Sequence, residues 1–426
     1  MLRRISHTLL WIWIFLIPWQ IRYIFSNPLI AGEPWEYGRI SLYIGDIVFL
    51  ILLIFTIAVW LKDKKIAKAY LWPTLVVILF ALWSWISIIW AIEPGISAYF
   101  AARITQWLVI LVIILILKPS FKLIISSILA IGALETTLGI LQFGTGEVFG
   151  TKWLGMATQT AGDLGPSVIE TLEGRWLRAY GTLPHPNILG GFISFALLGA
   201  IFLFGRGKSW QNPWLWALIL FLGQGIVMSF SRSSWIGLVF GMIFFIILSW
   251  REKKVLKKIL VSAAMLISVF ALNLFIAPDI FISRLGGAGR LEAQSFTERG
   301  VQMEMALDAI SEYPLGLGAG NYTAWLRELL PDKAAYIYQP VHNLYALVWS
   351  ELGFIGIALF IAMIVLLFQA QKGAIFHEAR TYFMASLVAM LAIGAFDHYF
   401  LTLYSGIVIL GFVISLLLIK REKVGI

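Results

Sequence analysis

The sequence predicts an all-α integral membrane protein with about twelve transmembrane helices, forming a single polytopic domain over residues 1–426. Three observations carry that prediction. The chain is 60% apolar and only 13% charged, outside the range of soluble domains. Runs of about 20 apolar residues, each long enough to cross a bilayer, recur from end to end. The basic segments between them fall on every second side, as the positive-inside rule requires.

The runs lie near 9–25, 40–61, 71–90, 98–117, 121–143, 188–205, 214–230, 234–250, 259–277, 350–370, 381–397 and 401–419. In lipid they must be helices, because strands of a barrel would alternate apolar and polar residues. "MLRR", "KDKKIAK", "KPSFK", "GRGK", "REKKVLKK", "QKGAIFHEAR" and "KREK" mark the cytoplasmic side and put both termini there. The net charge of +9 is then largely topological, and nucleic acid is not an expected partner. "MLRRISHTLLWIWIFLIPW" begins like a signal peptide, but no small-residue cleavage site follows, so it is expected to stay as the first span. The absence of cysteine excludes disulfides and thiolate metal sites.

Two outer segments are too long for simple turns. Residues 144–187 form an outer loop rich in Gly, Thr and Pro. Residues 278–341 form a long outer loop holding "SFTERGVQMEMALDAISEYP", which reads as an amphipathic helix. Met305 and Ile310 share its apolar face with Val301 or Leu307, and Pro314 with "GLGAG" ends it. With no separate soluble domain, chemistry is expected in the bundle or in these segments.

Of the 32 basic residues, twelve fall on the outer side, and ten of those are arginine: Arg22, Arg39, Arg103, Arg175, Arg178, Arg232, Arg284, Arg290, Arg299 and Arg327, beside Lys152 and Lys333. Topology asks for fewer outer charges, not for Arg over Lys. A guanidinium is a planar fork suited to gripping phosphate or carboxylate at two points. The bias therefore points to an anionic ligand at the outer face. Structural pairing with nearby acids is the reading for Arg22, Arg39 and Arg103, since buried membrane charges find partners and Asp46, Arg103 and Glu135 lie near the outer ends of their spans.

His7 and His377 fall on the cytoplasmic side, while His185, His342 and His398 face outward. The spacing of these three does not match a zinc-ligand pattern. His342 stands where a polar loop becomes an apolar helix, in "QPVHNLYALVWSELGFIGIALF". By itself such a residue is more often a packed, hydrogen-bonded histidine than a catalyst. Transfer of a sugar from a lipid diphosphate would need only this kit: cations to absorb the charge of the leaving group and one base for the acceptor hydroxyl. A glycosidase would want two facing carboxylates, and no outward pair presents itself.

Four blocks together resemble the O-antigen ligase and polymerase family. "HNLYALVWSELGFIG" follows the pattern His-[Asn/Ser/Gln], nine residues, Gly-x-x-Gly, with His342, Asn343, Gly353 and Gly356 in register. "RAYGTLPHPNILGGF" resembles the family's Arg-x-x-Gly-Thr…Pro-Asn…Gly block, and "SFSRSSWIGL" its Ser-Arg-Ser…Trp-x-Gly entry to a helix. "ERGVQMEMALDAISEYPLGLGAGNY" resembles the long outer helix followed by Pro-Leu-Gly-x-Gly. The blocks cover residues 178–360; the first five spans match only in hydropathy.

The resemblance implies a metal-independent, GT-C-like glycosyltransferase of the bacterial plasma membrane, needing no cofactor. Its donor would be a glycan on undecaprenyl diphosphate, its acceptor a glycan or lipid A-core, its surroundings membrane lipids. His342 would activate the acceptor hydroxyl, Arg232 and Arg299 would contact the diphosphate, and Arg178 is a weaker candidate for the same role. Gly353 and Gly356 would let a neighbouring helix approach and so hold the His342 end rigid. His185 offers a rival base, though it reads more simply as a loop residue before Pro186 and Asn187 start the sixth span. Transfer to a distinct acceptor (a ligase) is favoured slightly over extension of a lipid-linked chain (a polymerase). A multi-pass lipid-linked glycan transporter is the alternative from another class; it would be expected to show internal repeats, and none is evident.

Overall fold

The computed structural model describes the chain except residues 164, 208–211, 287–289, 371–377 and 420–426. His377 and parts of three basic segments thus lie outside the described residues. The chain is mostly helical with little sheet. Eight helices among the described residues are long and apolar enough to cross a membrane: Ile44–Asp63, Leu71–Trp90, Pro94–Leu117, Phe121–Thr145, Pro186–Arg206, Arg232–Ser249, Lys253–Ile276 and Leu344–Ala370.

The other four expected runs form shorter helices, Leu2–Phe15, Pro213–Met228, Glu378–Gly394 and Tyr404–Leu418. The first run departs most from expectation. Its helix stops at Phe15, ahead of Pro18, which has no N–H to continue it. Arg22–Ser26 then pairs as an antiparallel strand with Ile40–Tyr43. The outer segment 144–187 likewise carries short hairpins, Val168–Thr171 pairing with Gly174–Leu177. The described residues of 278–341 hold three α-helices, Pro278–Gly286, Arg290–Glu312 and Tyr322–Leu329.

Pro186–Arg206 is the hub. Of its most apolar stretch 89% is buried inside the protein, against 17% for Lys253–Ile276, which turns its surface outward. Its glycines let neighbours close in: a Cβ on Gly191 would sit 2.0 Å from the Tyr399 hydroxyl.

The buried charges near the first hairpin find partners. Arg103 grips Asp46 in two places, at 2.5 and 2.8 Å, and also donates to the Ser41 carbonyl. Arg22 does the same to Glu36, at 2.6 and 2.9 Å, and Arg39 shares that carboxylate. Glu135 pairs differently: it accepts from the hydroxyl and backbone N–H of Thr182, at 2.6 and 2.8 Å.

Leu344–Ala370 is broken at Gly353, where φ is 65° and ψ is −167°. Only glycine adopts this conformation without strain. The break exposes carbonyls that a continuous helix would use, and each is taken up. Leu317 N–H donates to Ser350 O (2.9 Å), Gly318 N–H to Glu351 O (2.8 Å) and Trp83 Nε1–H to Leu352 O (2.7 Å). In return Phe354 N–H donates to Pro314 O at 3.1 Å. The expectation that Gly353 admits a neighbouring helix is therefore corrected: what approaches is the backbone of the Pro314–Leu315 loop, 2.3 Å from where a Cβ would stand. Gly353→Ala is expected to cost at least about 1–3 kcal/mol from the backbone alone, with the clash added. Gly300→Ala, inside helix Arg290–Glu312 where a Cβ meets nothing within 4 Å, should be neutral or stabilising, by up to about 1 kcal/mol. Thermal unfolding of the two variants in detergent checks the contrast.

Candidate active site

The "RAYGT" stretch is clamped onto helix Phe121–Thr145 by two side chains. Gln142 accepts from the N–H groups of Tyr180 and Gly181 (3.0 and 2.8 Å) and donates to Gly181 O (2.8 Å). Glu135 holds Thr182. Gly181 sits at φ 60°, its absent Cβ 2.0 Å from the Glu135 carboxylate, so no other residue fits there. This clamp fixes Arg178, which is buried and donates from Nε to Ser229 O (2.9 Å) and from a terminal nitrogen to Asn187 Oδ1 (2.7 Å). Asn187 passes the connection on, donating to Asp397 Oδ2 at 2.8 Å. His185 caps helix Pro186–Arg206: its Nδ1 accepts the Asn187 N–H at 3.1 Å, and its Nε2 meets Ser167 Oγ at 2.9 Å. Both of its ring nitrogens are committed.

His342 directly precedes helix Leu344–Ala370, and Asn343 explains that position. Its Oδ1 accepts from the N–H groups of Tyr345 and Ala346, at 3.0 and 2.9 Å, as an N-cap does. Its Nδ2 donates to Ala395 O at 3.0 Å. The His342 backbone is thus pinned at a helix start and to the segment after Glu378–Gly394. Nδ1 of His342 lies 2.7 Å from Gln302 Oε1 on helix Arg290–Glu312.

The same helix carries Arg299, one turn before Gln302, and Phe296, one turn earlier still. The Arg232 guanidinium lies over the Phe296 ring, 4.7 Å from its centre. Arg232 opens its own helix after Ser231, whose hydroxyl accepts the Ser234 N–H. Just before it, Phe230 has φ 48°, a left-handed conformation that is strained for an aromatic residue. Arg284 donates to the Phe230 carbonyl at 3.0 Å and supports the turn. Arg232, Arg299 and His342 therefore gather around one helix, while Arg178 sits deeper, behind Asn187.

On the other flank of His342 opens a cavity of about 570 Å³. Its wall includes His342, His185, His398, Asp397, Tyr37 and Gln159. Sequence reasoning sorted the three histidines to one side but did not bring them together, and it missed Asp397. The available signal was an Asp-His pair standing between two apolar runs, where ionisable residues are costly. His398 packs edge-on against His342, ring centres 5.0 Å apart, and its Nδ1 meets Thr402 Oγ1 at 2.7 Å. Although these rings share a cavity, no three His, Asp or Glu side chains among the described residues stand close enough to hold a metal.

Burial dominates the electrostatics. It pushes His185 down to about 3, with the Arg178 charge adding to the effect. It pushes His398 down to about 3 as well, the His342 ring contributing next. His342 is lowered as well: burial lowers it, Asp397 opposes, Arg299 lowers it further and Glu298 opposes. Burial would raise Asp397, but His398, His342, His185 and the Asn187 N–H more than reverse this, so it stays a carboxylate. All three rings are thereby kept neutral at neutral pH, each with a lone pair.

Residues 216–361 match the family model described as O-antigen ligase. Over this stretch the chain is similar to the O-antigen ligase family. No curated protein matches the chain. The matched segment takes in Arg232, Arg299, Gln302, His342 and the Asn343, Gly353 and Gly356 positions; Arg178, His185, Asp397 and His398 lie outside it. This similarity, with the apolar helices, points to a glycosyltransferase-like enzyme of ligase or polymerase type in a bacterial membrane, a type that acts on a lipid-linked glycan and an acceptor.

His185 and His398 link stability to pH. Their ordinary value is about 6.5 in an unfolded chain, and about 3 in the folded one. The unfolded state therefore binds more protons between these values, and stability is lost as pH falls below about 6.5. Melting temperature measured from pH 7.5 down to 5 should hold nearly level to about pH 6.5 and fall below it. The slope should be shallower in His185→Asn, which can still cap the helix.

Proposed function

We propose that this protein transfers a glycan from an undecaprenyl-diphosphate donor to an acceptor hydroxyl, in the manner of an O-antigen ligase. The observation that carries the reading is the position of His342. It stands between an arginine-bearing helix and a cavity lined by neutral polar groups. The reaction would take place at the outer face of the plasma membrane, with both termini cytoplasmic, in keeping with the side on which the basic segments fall.

Arg232 and Arg299 contact the diphosphate, and Arg178 adds positive potential from behind Asn187. The acceptor enters the cavity. His342 Nε2 takes the proton of the acceptor hydroxyl as its oxygen attacks C1 of the donor sugar. The bond from C1 to the phosphate oxygen breaks, and its electron pair leaves on undecaprenyl diphosphate. The arginines stabilise that charge, so neither an acid nor a metal is required at the leaving group. The lowered pKa of His342 serves the step, since the ring is unprotonated and ready at neutral pH.

The purified protein, reconstituted with undecaprenyl-diphosphate-linked repeat units, decides the reading. Transfer only when lipid A-core is supplied means ligase; a ladder of lengthening lipid-linked chains without it means polymerase. His342→Ala should reduce transfer by roughly 100- to 10,000-fold with unchanged folding. Activity of the unmodified protein should hold down to about pH 6.5 and fall only below it, because the folded value of His342 is lowered. Full activity in His342→Ala would overturn the assignment.

A further inference from the structure

We propose that Gln302 is a positioning residue: its amide oxygen accepts the Nδ1–H of His342 and thereby presents Nε2, with its lone pair, to the acceptor. The inference rests on the reading of His342 as the base. Three observations carry it.

The first is the bond itself. Gln302 Oε1 lies 2.7 Å from His342 Nδ1. A neutral imidazole has one N–H and one lone pair, so an oxygen facing Nδ1 puts the hydrogen there and leaves Nε2 as the acceptor.

The second is the rigidity of the mount. The Gln302 carbonyl accepts from the hydroxyl of Tyr322 at 3.2 Å, and the Tyr322 side chain is fully buried. Helix Arg290–Glu312 runs directly into the Pro314–Gly318 loop that is bonded into the break at Gly353. The two partners thus belong to elements locked together at both ends of a short path.

The third is the choice of an amide. The charged and titratable groups around His342 are Asp397, Arg299, Glu298, His398 and His185. A carboxylate at position 302 would orient the ring equally well. It would also stand one turn from Arg299, compete for that guanidinium and repel a diphosphate. An amide oxygen sets the tautomer without adding negative charge. The other two histidines differ in this respect. His185 has both nitrogens engaged, and His398 is held by its own following turn, through the Thr402 hydroxyl that also donates to the His398 carbonyl.

The test uses the full chain in lipid nanodiscs with an undecaprenyl-diphosphate-linked glycan and an acceptor. Gln302→Leu removes the acceptor and should lower kcat roughly 100-fold with little change in donor KM. Gln302→Glu keeps an acceptor, so it should remain active, with the acid limb of its pH profile moved to higher pH and donor KM raised. Nitrogen-15 spectra of His342 should show the hydrogen on Nδ1 in the unmodified protein, with part of the population moving to Nε2–H in Gln302→Leu. A Gln302→Leu enzyme with kcat within twofold of the original and the same acid limb would overturn the proposal, as would an Nε2–H tautomer in the unmodified protein. If Gln302→Leu fails to fold, an unshifted profile in Gln302→Glu overturns it equally. Activity surviving in His342→Ala would instead remove the base itself, a separate outcome.

Discussion

The site depends on a broken helix. A continuous Leu344–Ala370 would leave the Pro-Leu-Gly-x-Gly loop without partners. With the break at Gly353, three carbonyls and one N–H become available, and the loop and Trp83 satisfy them. Unpaired buried backbone groups cost about 1–3 kcal/mol each, so loop and helix are strongly committed to each other. Glu351 adds to this by accepting the Gly320 N–H at 2.8 Å. The arginine-bearing outer helix enters that loop from one side and the His342 helix holds it from the other. Gln302 on the first helix and His342 at the start of the second, 40 residues apart in sequence, are thereby set at hydrogen-bonding distance.

The helical, membrane-embedded character was legible because apolar runs leave no other choice in lipid. The lengths were less so. Hydropathy continues through residues 16–25, but Pro18 and the pairing of Arg22–Ser26 with Ile40–Tyr43 end the helix early. The sequence pattern also identified the His342 block without its mechanics. Asn343 reads as a family match until its two hydrogen bonds reveal an N-cap, and Gly353 reads as a packing glycine until its dihedral angles reveal a break. Asp397 and His398 escaped because what makes them part of the cavity is tertiary: Asn187 and His342 reach them from distant segments. No spacing rule encodes such a meeting.

The arginine excess divides into two uses. Arg22, Arg39, Arg103 and Arg327 are joined to Glu36, Asp46 and Glu93, and they hold the first hairpin and the outer helix Tyr322–Leu329 against the bundle. Breaking a buried pair such as Arg103–Asp46 strands a charge, at a cost of about 3–5 kcal/mol. Arg232 also lies over an aromatic face, the ring of Phe296.

The short helices have a geometric consequence. At 1.5 Å per residue, Leu2–Phe15 and Tyr404–Leu418 span about 21–23 Å, whereas the hydrocarbon core is about 30 Å thick. Away from the site they end level with their neighbours: Arg3 and His7 meet the Leu117 carbonyl, and Tyr70 N–H meets that of Leu418. The missing length therefore falls on the site side. There the segments that follow Leu2–Phe15 and precede Tyr404–Leu418 supply Gln20, Arg22, Tyr399 and Leu403 to the wall of the cavity. Where these helices fall short, the cavity is thus walled by the loops that join them to their neighbours.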